Sequence, residues 1–306
     1  MRINLIYYFI FTFCFLSCSQ LDRIKSLDDQ YFEEIMANKT AAEINFVHYL
    51  KKVEPKIYSQ IESDKTDSVL VDLWGESYNF DSGANKTILD KSIIESLQNE
   101  FNIKNDNVVV HAGIMHTYGY LFSTLNTPYG YKRKRWLLAT MDNALKLQKA
   151  TISPHPEDGT LLSNMTYVAG KLSFDEEKNL GQLEKLKNVS QELRNYNFNS
   201  IKKLTLKEDI NFPTNLPYTI KSTFIKFLSK AASEENDYLL IYSIKNRETK
   251  IEKIITAFPI KKDAYLKMID PNLLGQDRPV IIKNNAYMAI DKNIRLSGNR
   301  LILGDL

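Results

Sequence analysis

Cysteine is nearly absent from this chain. Of 306 residues only Cys14 and Cys18 are cysteine, and none follows Cys18. Behind that position a disulfide, a thiolate nucleophile and a cysteine zinc site are all excluded, so stability there rests on a packed core. An excess of charge is lacking too. The 40 Lys and Arg against 37 Asp and Glu leave +3, too little for a general attraction to nucleic acid or anionic lipid, so any electrostatic function must come from local clustering. Catalytic signatures are also missing: the chain holds no Gly-x-Ser-x-Gly elbow, His-Glu-x-x-His, Walker loop or dinucleotide glycine pattern. Neither an internal repeat nor a low-complexity tract occurs.

What is present begins at the N-terminus. Arg2 precedes an apolar run from Ile3 to Leu16 broken only by Asn4 and Thr12. This has the form of a signal-peptide core. A membrane-spanning helix needs roughly 20 apolar residues, and the run turns polar by Gln20 and Asp22. Leu16-Ser17-Cys18 resembles the lipobox of bacterial lipoproteins, with Phe15 in place of the usual aliphatic residue. The resemblance covers residues 1–18. It implies that 1–17 are a signal peptide and that Cys18 carries the lipid and becomes the new N-terminus. Ser19 rather than Asp after it implies the outer membrane, facing the periplasm or the exterior. The alternative is an ordinary secretory signal cut elsewhere.

The remaining pattern predicts an α+β fold with N-terminal helices, a mixed central sheet with flanking helices, and C-terminal antiparallel hairpins. Residues 18–65 read as a tether and two helices broken near Asn38-Lys39-Thr40, with apolar residues at helical spacing from Leu21 to Leu50. A central α/β region spans 66–205. It starts with a strand over Ser68–Trp74, a helix over Thr87–Phe101 and a strand over Val108–Val110, an order compatible with a parallel pair. A polar helix is expected over Asp175–Asn195. The C-terminal α+β region, 206–306, reads as a helix over Ile220–Ala231, then a hairpin of Tyr238–Ile244 with Ile251–Phe258, then short strands at Val280–Ile282 and Ala286–Ile290.

Candidate chemistry concentrates between His111 and Gly170, which holds three of the four histidines. His111 closes a strand and His116 opens the next helix. Five residues apart on one helix they would stand about 140° from each other, so convergence requires a turn at Ala112-Gly113. Two histidines so placed point into the crevice where open α/β sheets bind ligands. Asp72 interrupts an apolar run and needs a partner, and His111 is the partner expected. Glu76, and Glu157 with Asp158 near His155, would complete a His/carboxylate set for zinc or manganese. Ser153-Pro154-His155-Pro156 fixes His155 between two prolines, which suits an acid or base as well as an ordered turn. His48 reads as packing or surface.

Tyr129-Gly130-Tyr131-Lys132-Arg133-Lys134-Arg135-Trp136 sets four cations between aromatics. Lys132, Arg133 and Arg135, with Tyr129 and Tyr131, are a candidate anion site, since Arg offers a planar fork and Tyr a stacking face. Its bland counterpart is a solvated helix start. Two functions follow. One is a lipid-anchored envelope protein that binds an anionic small molecule, glycan or envelope protein, with no nucleic acid expected. The other is an exported hydrolase, metal-assisted or histidine acid/base, using His111, His116, His155 and Asp72.

Overall fold

The computed structural model describes residues 45–81, 84–103, 109–127, 130–131, 141–142, 145–148, 150–212, 217–226, 238–270 and 295–303. Cys18 and the signal segment, the first expected N-terminal helix before Asn38, the cluster Tyr129 and Lys132 to Trp136, residues 227–231 of the helix expected over Ile220–Ala231, and the strands expected at 280–282 and 286–290 lie outside them, and of Tyr131 only the backbone is described. Residues 45–306 belong to one compact unit.

Its first half is helical. α1 (Phe46–Val53) is opened by Asn45, whose side chain accepts from the backbone N–H groups of Val47 and His48. It buries Phe46, Val47 and Leu50 and leaves His48 exposed. α2 (Pro55–Asp64) starts on a proline, which has no N–H to leave unpaired. α3 (Ser68–Asp72) occupies the place where a strand was expected. Asp67 decides this, because its carboxylate accepts from Val69 N at 3.1 Å and Leu70 N at 3.3 Å. Once those donors are captured the β-branched run coils despite its propensity. α4 (Lys91–Glu100) follows as expected, starting later than Thr87 and burying Ile93, Ile94 and Leu97.

Two three-residue strands, β1 (Glu76–Tyr78) and β2 (Val109–His111), pair antiparallel, with Glu76 opposite His111. The parallel pair that the strand–helix–strand order allowed is not formed among the described residues, since its first strand is the helix α3. From β2 the chain enters a composite helix, α-helical as α5 (Ala112–Ile114), widened to a π turn over Met115–Gly119 and tightened to 3₁₀ over Tyr120–Phe122. β3 (Asn126–Thr127) and β4 (Gly130–Tyr131) form a small antiparallel pair.

α6 (Leu161–Ser173) is buried almost all round. The polar helix expected over Asp175–Asn195 is instead two pieces, α7 (Glu177–Leu183) and α8 (Gln191–Arg194). Between them the backbone serves other partners. Lys187 N donates to Asp67, Asn188 O accepts from Thr160 N, and Ser190 N donates to Asn164. A continuous helix would have used those groups internally.

The second half is a five-stranded antiparallel sheet in the order β8-β7-β6-β5-β9. It comprises β5 (Lys203–Phe212), β6 (Tyr218–Lys226), β7 (Tyr238–Asn246), β8 (Glu252–Ile260) and β9 (Arg295–Leu303). The β7–β8 hairpin is the one expected. Over 220–226 β6 replaces the helix expected at Ile220–Ala231: Phe224, Phe227 and Leu228 sit at helical spacing, but β6 is a central strand buried on both faces, and alternation is masked there. On one face Phe224 and Tyr238 meet Tyr265 of α9 (Lys262–Ile269). The opposite face, carrying Lys221, Ser243 and Ile254, meets α6 and the turn after it. The fold is thus α+β, with its main sheet in the C-terminal region and, among the described residues, the strand pairing antiparallel apart from an isolated parallel bridge of Trp74 with Ile254.

That bridge ties the halves together. Ile254 N donates to Leu73 O and Gly75 N to Ile254 O, both at 2.8 Å. Trp74 is buried, its indole N–H donates to Thr166 Oγ1 at 2.7 Å, and its ring lies against Gly113. A Cβ on Gly113 would fall 2.2 Å from the ring. Gly113→Ala is therefore expected to cost about 1–3 kcal/mol through overpacking, read as a lower urea midpoint with an unchanged slope. An unchanged midpoint would contradict this close junction.

Candidate functional site

The histidine region is closed. β2 delivers His111 to the start of α5, where its ring Nε2 lies 2.8 Å from the Val71 carbonyl. A carbonyl only accepts, so Nε2 carries the proton and donates, and Nδ1 is left as an acceptor that is buried without a hydrogen-bond partner. Burial pushes the His111 pKa down to about 4, and the nearby Lys253 charge adds to this against the opposing Val71 bond. The ring is neutral at pH 7. His116, in the π turn, is also buried and meets Tyr120 edge-on at 4.5 Å between ring centroids.

The expected carboxylate partner is elsewhere. Asp72 sits at the exposed end of α3, so the helix that replaced the strand turns it to solvent, and the Val71 carbonyl takes the place beside His111. Glu76 is exposed. His155 is 40% exposed on its loop, 3.5 Å from Glu54, while Pro154 O accepts from Gln60 at 2.7 Å. Among the described residues no group of three or more His, Cys, Asp or Glu side chains is placed to hold a metal ion. Nor is any helix of the described residues long and apolar enough to cross a membrane.

The loop around His155 does border a cleft of about 390 Å³, lined by Gln148, Thr151, Glu157, Asp158, Ser190, Gln191, Glu192 and Asn195. Its carboxylates are largely occupied in holding backbone. Glu192 accepts from Gln148 N and Thr151 Oγ1, and Asp158 accepts from Gln191 N. Behind the loop, Asp142 accepts from Ile152 N with both oxygens, and burial, aided by the Glu192 charge, lifts its pKa to about 6. Gly159 turns the loop with φ +76°, and a side chain there would strike Asn188 O and Asn164 Oδ1. The lining carries three carboxylates and no Lys or Arg, so it is not a site for an anion.

One fully enclosed carboxyl group was not singled out by the sequence. Asp64, at the end of α2, is fully buried and accepts from Tyr118 Oη at 2.5 Å, Thr160 Oγ1 at 2.6 Å and Ser163 Oγ at 3.1 Å. Burial lifts its pKa to about 6 against these three donors, with the Asp67 charge adding to the rise. Tyr118 is pushed up in turn, by burial and by Asp64. A second buried set, Lys221 and Glu252, was hidden by the misread β6. A lysine inside an apolar strand was the available signal.

No family model matches the chain, and neither a curated protein nor a solved structure matches it.

The Asp64 shift has a defined pH consequence. Unfolded, its carboxyl titrates near 3.8; folded, near 6. Between these values the native state holds a proton that the unfolded chain releases, so this contribution is full below about pH 4 and lost as pH rises through 6. At about 1.4 kcal/mol per unit it amounts to on the order of 3 kcal/mol. Urea unfolding at pH 4.5 and 7.5 (about one and a half units either side of pH 6) is expected to show less gain on acidification in Asp64→Asn than in the parent. Equal gains would remove Asp64 as the cause.

Proposed function

We propose that this protein is a lipid-anchored binding protein of the bacterial envelope. Cys18 carries the lipid at the outer membrane, the unit from Asn45 onward faces the periplasm or exterior, and Lys132, Arg133 and Arg135, with Tyr129 and Tyr131, hold an anionic group of a small molecule, glycan or envelope protein.

The observation that favours binding over hydrolysis is the state of His111. A general acid or base needs a pKa near the working pH and a free nitrogen in reach of substrate. His111 is neutral, enclosed and bonded to Val71 O, and Asp72 faces away from it into solvent. The antiparallel pairing of Thr127 with Gly130 supports the anion reading, since the chain reverses there and the four cations follow β4 directly in sequence. The acidic cleft beside His155 lies outside this assignment.

Calorimetric titration with a phosphorylated or sulfated oligosaccharide tests the binding role. Replacing Lys132, Arg133 and Arg135 together by Ala is expected to weaken binding by about a hundredfold or more, as loss of several charge-assisted hydrogen bonds implies. His155→Ala, at an exposed position, is expected to leave it unchanged. Equal affinity in the triple variant would exclude the cluster. Cys18→Ala is expected to abolish incorporation of a labelled fatty acid and release the protein from the membrane fraction, and retention of the label would exclude the anchor.

A further inference from the structure

Lys221 is a buried amine. It lies in the middle of β6 with its side chain fully buried, and its Nζ is 2.6 Å from Ser173 O, 2.9 Å from Asp175 Oδ2, and 3.0 and 3.2 Å from the two oxygens of Glu252. Glu252 is equally buried and is held by the Ser243 hydroxyl at 2.5 Å, while its backbone N–H is fixed by Asn179. Asp175, on the turn after α6, is 41% exposed, and Lys207 Nζ stands 3.0 Å from the same Oδ2.

We propose that Lys221 and Asp175 join as an intramolecular isopeptide bond, with Glu252 as the proton shuttle. An amine held in contact with two carboxyl groups, one enclosed and one open to solvent, has the parts that such a condensation requires. Confinement supplies the proximity that in solution would need a very high concentration of reactant. The bond that forms is Nζ to Cγ of Asp175, and the bond that breaks is Cγ to Oδ2. Lys221 passes one proton to Glu252, a transfer favoured by burial because it neutralises both charges. The freed lone pair attacks Cγ as Nζ hands a proton to Oδ2, 2.9 Å away, and Lys207, 3.0 Å from that same oxygen, supports its departure. The proton held by Glu252 then returns through Nζ to Oδ2, which departs as water with those two protons. An ammonium and a carboxylate become an amide and water, Glu252 is regenerated, and no other reactant is needed.

The roles follow from exposure. Glu252 is pinned by Ser243 and closed off, so water formed from it would be trapped. Water formed from Asp175 leaves directly to solvent. The product would tie the end of α6 to the centre of the sheet in a chain that has no cysteine behind Cys18 and so cannot staple itself with a disulfide.

Peptide mapping of the purified full chain by mass spectrometry tests this. The expected result is one branched species containing Lys221 and Asp175, lighter by one water than its two linear peptides. Asp175→Ala, at a position open enough to leave the fold intact by circular dichroism, is expected to return both peptides as linear. Asp175→Asn is expected to restore the branch with ammonia as the leaving group, and Glu252→Gln to slow it by about a hundredfold or more. Recovery of Lys221 and Asp175 only in separate linear peptides from the parent chain would overturn the proposal, as would a branch from Lys221 to Glu252.

Discussion

The structure depends on the seat of Trp74. Its backbone neighbours bridge to Ile254 at the edge of the sheet, its indole N–H reaches Thr166 in the middle of α6, and its ring fills the space left by the missing side chain of Gly113. One residue thus connects the helical half, the composite helix and the sheet. Burial of a large aromatic supplies much of the local driving force, and its single polar atom is satisfied. The same junction fixes where His111 emerges, because Ala112 N donates to Gly75 O one residue away. The histidine is therefore placed by packing, and the packing leaves it no opening.

Around this junction the buried polar groups fall into satisfied sets. Asp64 receives three hydroxyl donors, and Asp67 receives Val69, Leu70 and Lys187 backbone donors. Lys221 uses its three donors on Ser173, Asp175 and Glu252. Each set crosses between elements distant in sequence: α2 to α6, α3 to the segment before α8, β6 to β8 and the turn after α6. Unpaired, each of these groups would be costly to bury. Paired, they fix the orientation of one element on another, and the carboxyl shifts of Asp64 and Glu252 both follow from burial as the largest cause.

Much of the fold was legible in the sequence where one face of an element meets water. α4 and the β7–β8 hairpin, with clear periodicity or a polar connection, formed near the expected places, while the second of the two expected N-terminal helices formed as two, α1 and α2, divided at Pro55. The misreadings share a physical cause. Ser68–Trp74 is β-branched and apolar, but Asp67 captures the backbone donors that start a helix. β6 is buried on both faces, so the alternation that marks a strand is absent. The expected helix over Asp175–Asn195 is interrupted because Asp67, Asn164 and Thr160 take its backbone groups, and none of the three is near it in sequence.

The histidines were identifiable as unusual from their position after a strand and around a turn. Whether they were open was not, since enclosure of His111 comes from Val71 on α3 and burial in the junction beside Trp74. By itself the sequence determined the α+β class, the hairpin, the absence of thiol chemistry behind Cys18 and the apolar composition of the N-terminal segment, because composition and local periodicity are properties of neighbouring residues. Only the tertiary structure decided that Asp72 faces solvent, that Asp64 sits among three hydroxyls, and that Lys221 lies between Asp175 and Glu252. Those contacts join residues some thirty to a hundred positions apart, and no local pattern encodes which distant side chain will be there.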